Sequence, residues 1–369
     1  VKVSVPLSEL NHKMNAISGV VPGKTTMPIL STVLMSAENG IFSISATDLD
    51  ISVTSRVNGT VVEEGKIAAP AKKLAEIVKS LAGDEVALDA EGDKLTLSCG
   101  KSRFVMNARS ADDFPKLPKQ EGKTSFAIDP EIVGALVQKT TYAVSTDLTR
   151  PALCGVLWEV DRKGISMVAT DGHRLAKVEI ALDLGSVQKM DVIVPPKALG
   201  TMRIYAEGEK EVRISIGENS ISFDMKETTI YSRLLEGPFP NYQRVIPAKN
   251  EKELVVSRSA LAEATKRVSI LSDTLTKQVV FSIGKTKLML NVSTQELGEA
   301  REEIEASFSG EAMDIGYNAN YVLDILRTMG DAEEIVFLLD RPDNAAVVKP
   351  ASEGGNLKQV CIIMPLRIG

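Results

Sequence analysis

The sequence predicts an α+β fold of three tandem, similar domains, each made of two strand-helix-three-strand (βαβββ) halves whose two helices pack on antiparallel sheets. Three observations predict it. A motif repeats at a near-constant step: Pro70-Ala71-Lys72-Lys73-Leu74 returns 125 residues on as Pro195-Pro196-Lys197-Ala198-Leu199, and more faintly as Asn318-Ala319-Asn320-Tyr321-Val322. The punctuation keeps that step, since Phe114-Pro115, Phe239-Pro240 and Met364-Pro365 are 125 residues apart, and Ala46-Thr47-Asp48 answers Ala169-Thr170-Asp171 at 123. Within each repeat, apolar alternation of period two gives way to helical spacing and back. Boundaries are expected near Gly122 and Lys249, giving domains 1–122, 123–249 and 250–369.

In the first domain, Val1 to Pro6 reads as a strand and Leu7 to Val20 as an amphipathic helix. Ile29 to Ala37, Ile41 to Asp48 and Ile51 to Val57 read as three strands, with Glu38-Asn39-Gly40 supplying a hairpin turn. The second half repeats the order: Gly65 to Pro70 as strand, Ala71 to Leu81 as helix, then Glu85 to Ala90, Lys94 to Cys99 and Ser102 to Ala108 as strands, with Glu91-Gly92-Asp93 as a turn. The remaining helices are expected near Pro130 to Ala143, Pro196 to Ala206, Arg258 to Leu271 and Ala319 to Met329, each after a short apolar strand.

A formal charge of −6, spread evenly, would argue against nucleic-acid binding. The charge is not spread evenly. In chain order the six expected helices carry 0, +2, 0, +2, +2 and 0, so +6 lies on helices and −12 elsewhere. In the Ala71 to Leu81 helix, Leu74, Ile77, Val78 and Leu81 share one face while Lys72, Lys73 and Lys79 fall away from it. One such face is ordinarily just solvated. Segregation over a threefold repeat suits basic helices that meet phosphates together while acidic sheets repel DNA elsewhere. No stretch approaches the roughly 18 to 20 apolar residues of a membrane span, and Val1 to Pro6 lacks a signal peptide's long apolar region, so a cytoplasmic chain without membrane attachment is expected. Cys99, Cys154 and Cys361 are far apart with no CxxC pair, which makes them ordinary thiols and calls for neither a disulfide framework nor zinc.

Two segments invite an enzyme reading. Gly23-Lys24-Thr25 resembles the end of a phosphate-binding loop, but with Gly19 the spacing is GxxxGKT instead of GxxxxGK[ST], and the segment follows a helix where the motif follows a strand. Asp171 and His173 suggest a hydrolase pair, yet no GxSxG elbow supplies a nucleophile, and a turn between strands is the plainer reading. His12, in a helix without a ligand partner, suggests a surface residue. A nucleotide-dependent or hydrolytic enzyme using Lys24 or His173 stays as the alternative, separable by an ATP or ester turnover assay, and a repeat scaffold without DNA as a third class.

Ala169-Thr170-Asp171-Gly172-His173-Arg174-Leu175-Ala176, with Phe239 to Pro247 (FPNYQRVIP), Met27 to Leu34 (MPILSTVL), Ile270 to Asp273 (ILSD) and Met364 to Arg367 (MPLR), resembles the bacterial sliding clamps, the DNA polymerase III beta subunit family. These anchors span the chain in family order. The resemblance implies the DNA clamp fold, a ring-forming head-to-tail homodimer with helices lining the hole, and a non-catalytic processivity role without cofactor or metal. It implies double-stranded DNA encircled without sequence preference, the DNA polymerase III alpha subunit, the clamp-loader complex and other proteins with clamp-binding motifs (translesion polymerases, mismatch repair, ligase) as partners, in the bacterial cytoplasm at the nucleoid.

The residues implied to face DNA are Lys24, Lys72, Lys73, Lys79, Lys139, Arg150, Lys197, Arg203, Lys266 and Arg267. A partner-peptide pocket is implied at Leu153, Thr170, Gly172, His173, Arg174, Leu175, Pro240, Arg244, Val245, Ala346, Ile362, Met364, Pro365, Leu366 and Arg367, with Arg174 and Arg244 orienting the peptide. At the dimer interface Phe104 and Met106 would face Ile270 and Leu271, with Lys101 and Arg103 meeting Glu296, Glu299, Glu302 or Glu303. Ala152 replaces a frequent aromatic, Arg301 interrupts the acidic run, and Ile368-Gly369 extends past the usual ending.

Overall fold

A computed structural model of the chain describes residues 1–118, 124–330, 332–352 and 356–368, so the expected boundary at Gly122 and the terminal Gly369 lie outside the described residues. Six α-helices occur among them: α1 Leu7–Ser18, α2 Ala71–Ser80, α3 Pro130–Thr140, α4 Pro196–Ala206, α5 Arg258–Val268 and α6 Ala319–Thr328. α2 shows why: Leu74 and Val78 are fully buried, Lys72, Lys73 and Lys79 are exposed, and Pro70 sets the turn into the helix. The Ser257 hydroxyl caps α5 by accepting from the Ala260 N–H, and the Asn318 side chain caps α6. α3 and α5 end earlier than the spacing predicts because each tightens into a 3-10 turn, Thr141–Ala143 and Ser269–Leu271.

The chain packs as two compact units, residues 1–133 with 197–234, and residues 134–196 with 235–369. The first unit holds a five-stranded sheet in the order Thr60–Glu63, Lys2–Pro6, Glu85–Glu91, Lys94–Cys99, Ser102–Asn107. It also holds an eight-stranded sheet in the order Thr124–Ile128, Val212–Ile216, Ser220–Asp224, Thr228–Arg233, Ile51–Val57, Ile41–Thr47, Thr32–Glu38, Gly65–Pro70. The second unit holds a twelve-stranded sheet: Met190–Val194, Val156–Asp161, Gly164–Thr170, Arg174–Ala181, Leu357–Ile363, Ala346–Pro350, Glu334–Leu339, Lys252–Ser257, Gly298–Phe308, Lys287–Thr294, Gln278–Ile283, Met313–Asn318. Both turns of the first domain form, with Asn39 and Gly40 at φ 51° and 72° and Gly92 at 58°, the left-handed geometry two-residue hairpins require.

Two pairings go beyond the sequence reading. The leading strand of each half joins the other half's sheet: Val3 faces Leu88, Met35 faces Ile67, and the same exchange recurs at Phe126 with Ile214 and Leu254 with Phe337. A leading strand followed by a helix could join its own three strands only as a parallel crossover, whereas the exchange leaves every ladder antiparallel. Sheets also run on from one repeat to the next, Val53 facing Ile230 and Leu175 facing Ile362. The packing units follow these shared sheets and cut through the middle repeat, while the three-domain design remains visible as three copies of one element order. The repeat boundaries near residues 122 and 249 we keep as a proposal.

Candidate functional site

In the second unit the turn between Gly164–Thr170 and Arg174–Ala181 is built by its own side chains. Asp171 Oδ1 accepts the N–H groups of His173 (2.9 Å) and Arg174 (3.0 Å), while Thr170 Oγ1 accepts from Gly172 N (3.1 Å) and donates to Arg174 O (2.7 Å). Gly172 sits at φ +92°, where a side chain would be strained. Leu357–Ile363 lies alongside, pairing Ile362 with Leu175 and Ile363 with both Arg174 and Ala346, and the Met364 N–H donates to His173 O (2.9 Å). The segments ATDGHRL and IIMPLR therefore meet, as the resemblance implies. The tail then leaves: Leu366 N donates to Gly316 O (2.7 Å) and Gln278 Nε2 to Arg367 O (2.9 Å).

Leu175 and Ile362 join Leu157, Val168, Ile193, Tyr242 and Val347 in a buried cluster, against which Phe239 and Ile246 pack, so the FPNYQRVIP segment covers this sheet face. Leu153 and Ala346 are also buried. The accessible apolar surface comes from Val245 (53% exposed) and Met364 (41%), with half-buried Pro365 and Leu366 and exposed Pro240, His173, Arg244 and Arg367 around them. Of the expected apolar members, those on the strands and in the 3-10 turn Pro151–Cys154 back the surface, and those on the connector and tail form it. A cavity of about 400 Å³ lies elsewhere on the unit, lined by Glu159, Ser166, Lys177, Glu179, Tyr242 and Lys358 among others, with the Tyr242 hydroxyl donating to Glu159 (2.7 Å).

Arg174 is engaged within the chain itself. Its Nε donates to Asp171 Oδ2 (3.1 Å), Nη1 to Asp324 Oδ2 (2.5 Å) and Nη2 to Tyr142 O (2.7 Å), and the guanidinium lies 4.4 Å from the ring centre of Tyr321. Burial disfavours its charge, but the bonds to Asp324 and Asp171 outweigh that and hold its pKa above the ordinary value. With 11% of its side chain exposed it braces the turn against α6. Nothing local in the sequence marked Asp324, Tyr142 or Tyr321, because no spacing rule links residues so far apart. The Tyr321 ring also stacks on His173 at 6.4 Å.

The ten basic residues fall into distinct groups. Lys24, Lys72, Lys79, Arg203 and Lys266 are exposed and make no ion pair among the described residues. Lys73 pairs with Glu76, Arg150 with Asp147, Lys197 with Asp48, and Arg267 grips Glu302 with two nitrogens. Lys139 departs from expectation: its ammonium donates to Thr328 O (2.6 Å) and Gln359 Oε1 (2.8 Å), tying α3 to α6 and the C-terminal strand. The observed helices still sum to +6 against −12 elsewhere. Lys24 stands in a loop after α1, followed by the short 3-10 turn Pro28–Ser31, which gives a phosphate loop neither its strand nor its helix. Among the described residues no hydrogen bond joins the His173 imidazole to a serine or cysteine, and no cluster of three or more His, Cys, Asp or Glu could hold a metal ion. No helix among them is long and apolar enough to cross a membrane.

Six of the ten expected interface residues lie on two edge strands, with Lys101 and Glu296 in the adjoining turns and Ile270 and Leu271 in the 3-10 turn Ser269–Leu271. Ser102–Asn107 is the outer strand of its sheet, bonded on one side, with Phe104 (37%) and Val105 (53%) exposed beside Lys101, Arg103 and half-buried Met106. Gly298–Phe308 pairs along Lys287–Thr294, but on its other side meets Lys252–Ser257 only at Ala306, Ser307 and Phe308, which leaves residues 298–305 with a free edge. Glu299, Glu302 and Glu303 lie on that edge strand and Glu296 in the preceding turn. Ile270 is 76% exposed, while Leu271 packs partly on the core. Arg267 already holds Glu302 and Lys287 holds Glu303, so these carboxylates have partners within the chain.

Three family models match in order: the N-terminal domain of the DNA polymerase III beta subunit over residues 1–118, its central domain over 127–241 and its C-terminal domain over 243–367. The beta sliding clamp of Pseudomonas aeruginosa is 34% identical over 358 residues, 96% of either chain. That of Escherichia coli K12 is 30% identical over 370 residues, covering 100% of both. A crystal structure of the Pseudomonas aeruginosa sliding clamp bound to griselimycin matches with a TM-score of 0.92 at 32% identity, over 100% of this chain and 99% of that one.

Proposed function

Since the chain belongs to the DNA polymerase III beta subunit family, the beta sliding clamps, and is a non-catalytic processivity factor that works with DNA and polymerase, we propose that two copies close head to tail around duplex DNA. The observation that carries the closure is a pair of free strand edges of opposite charge, the basic Ser102–Asn107 and the acidic residues 298–305. An unpaired edge is an open template for another strand, and a stable soluble protein covers it or pairs it. Joining one subunit's first edge to the other's second is heterologous and closes a ring if two copies complete the turn. Phe104, Met106, Ile270 and Leu271 supply the apolar centre. Lys101 and Arg103 against Glu296, Glu299, Glu302 and Glu303 set the pairing, and exposed ion pairs of this kind contribute only about 0 to 1 kcal/mol each. Exposed cations on the helices and at Lys24 meet phosphates without reading bases, which permits sliding.

The surface around Val245 and Met364 is the reading we favour for the docking of linear peptides from the polymerase alpha subunit, the clamp loader, translesion polymerases, mismatch-repair proteins and ligase. Methionine suits such a shared site because its thioether repacks around different side chains. The closure is tested at Val105. The two-residue Gly100-Lys101 hairpin and the alternation of the ladder aim the Val105 N–H outward, so Val105→Pro removes an edge donor without breaking a bond inside the sheet. Sedimentation equilibrium should find that variant, and Ile270→Ala, as folded monomers at concentrations where the parent is dimeric. A dimer unchanged in both would place the interface elsewhere.

A further inference from the structure

The second unit carries two leucines that packing leaves almost wholly in water, Leu148 (85% exposed) and Leu275 (90%), the most exposed large apolar residues among those described. Each opens a matching tripeptide, leucine, threonine and a basic residue (Leu148-Thr149-Arg150 and Leu275-Thr276-Lys277), in the loop after the first helix of its repeat. Each is held up by an aspartate. Asp147 Oδ1 accepts from Thr149 N (3.0 Å) and Thr149 Oγ1 (2.6 Å), and its Oδ2 from Arg150 Nε (2.9 Å). Asp273 Oδ1 accepts from Leu275 N (3.0 Å), Thr276 N (2.8 Å) and Thr276 Oγ1 (3.1 Å). Hydrogen bonds from Thr149 and Thr276 hold both carboxyls below their ordinary pKa, so the loops keep these bonds at neutral pH.

Both loops are tied to elements of that same surface. Arg150 Nη2 donates to Asp171 O (3.4 Å), which sets the Leu148 loop against the Gly172 turn. The Leu275 loop is tied through a different element: Asn318 Nδ2 donates to Thr276 O (3.0 Å), Asn318 Oδ1 caps the helix that bears Tyr321, and Tyr321 stacks on His173. Gln278, three residues past Leu275, binds the tail at Arg367. One exposed leucine is ordinary on a protein surface. Two at matching loop tips, both braced and both bordering one surface, form its continuation.

We propose that Leu148 and Leu275 extend the partner surface at both ends and receive apolar residues that flank the anchor motif in a docking protein chain. The proposal rests on the reading of the Val245 and Met364 surface as a peptide site. A protein chain fits better than DNA because each tip is electrically balanced, Asp147 by Arg150 and Asp273 beside Lys277, which leaves no net charge to attract phosphate.

The test uses the full-length chain and two peptides: a short glutamine-leucine-phenylalanine type motif, and the same motif continued by several residues on both sides with a leucine in each extension. Calorimetry should give the parent chain an affinity for the longer peptide about tenfold above that for the short one. The Leu148→Ser, Leu275→Ser double variant should lose that gain and bind the short peptide as the parent does. Exposed positions make the double variant safe for folding. If the longer peptide gains nothing, or the double variant keeps the gain, the proposal is wrong. It is equally wrong if the double variant keeps peptide affinity and instead slips from nicked circular DNA faster, which would give the leucines to DNA. Failure of the underlying reading looks different: the short peptide would not bind the parent, or would bind Met364→Glu just as well.

Discussion

Replacing Arg174 with alanine removes three donors at once and leaves Asp324, Asp171 and the Tyr142 carbonyl facing a gap. The side chains of Asp171 and Asp324 are 14% and 26% exposed, so water reaches them only in part. Breaking a buried pair from one side costs about 3 to 5 kcal/mol, and this partial access puts the loss near the lower end, about 3 kcal/mol. Trp158, the one tryptophan of the chain, is fully buried in the same unit and reports its unfolding by fluorescence. With a urea slope of about 2 to 3 kcal/mol per molar, the midpoint should fall by roughly 1 to 1.5 M at fixed protein concentration. Arg174→Lys should recover less than half, since an ammonium cannot span Asp171, Asp324 and Tyr142 together. Adding Asp324→Ala to Arg174→Ala should restore part of the loss by removing an orphaned carboxylate, a non-additivity that contact predicts. A shift under about 0.3 M for Arg174→Ala would mean that the network is worth no more than a surface ion pair, and the bracing argument would fail.

Burial pushes the Cys361 thiol above its ordinary pKa and Cys99 is also buried, whereas Cys154 is partly exposed; a disulfide reagent at pH 8 should therefore titrate one thiol quickly in the native chain and two more only on unfolding. Fast reaction of all three would contradict the packing. Combined Lys72→Ala, Lys79→Ala and Lys266→Ala should shorten retention on nicked circular DNA and flatten its salt dependence, while Lys139→Ala should leave retention unchanged and cost about 1.5 to 3 kcal/mol of stability. The reverse outcome, read from retention half-lives and urea midpoints, would return Lys139 to the DNA-facing set.

What the sequence made legible is what short-range physics controls. Helix α4 has the bounds its spacing predicts, Pro196–Ala206, and Asn39-Gly40 turns where a left-handed pair must. The Asp171 turn was visible as a motif because its bonds run two or three residues along the chain. Arg174 was visible as a residue but not as a brace, since Asp324 and Tyr142 reach it through the fold. Lys139 looked like one more helix lysine until Thr328 and Gln359 came within reach of its ammonium. The free edge at residues 298–305 was hidden for another reason: a strand's side-chain pattern says which face is buried and nothing about which backbone edge is bonded.

Strand exchange and sheet continuity together explain why repeats and packing units differ. Within a repeat, the leading strand of either half completes the other half's sheet, as Val3 does beside Leu88 and Ile67 beside Met35, so neither half can close its ladders alone. Between repeats, Ile51–Val57 borrows Thr228–Arg233, and Arg174–Ala181 borrows Leu357–Ile363. Inside the chain, both joints are made by one strand edge covering another. Among the edges still open are Ser102–Asn107 in the first repeat and residues 298–305 in the last, and a joint of the same kind between two copies would leave neither of these uncovered. In the proposed dimer, the device that links repeat to repeat within one chain would also link chain to chain, and the charges of Arg103 and Glu299 would need only to choose the partner edge while backbone pairing and the apolar residues beside it supplied the hold.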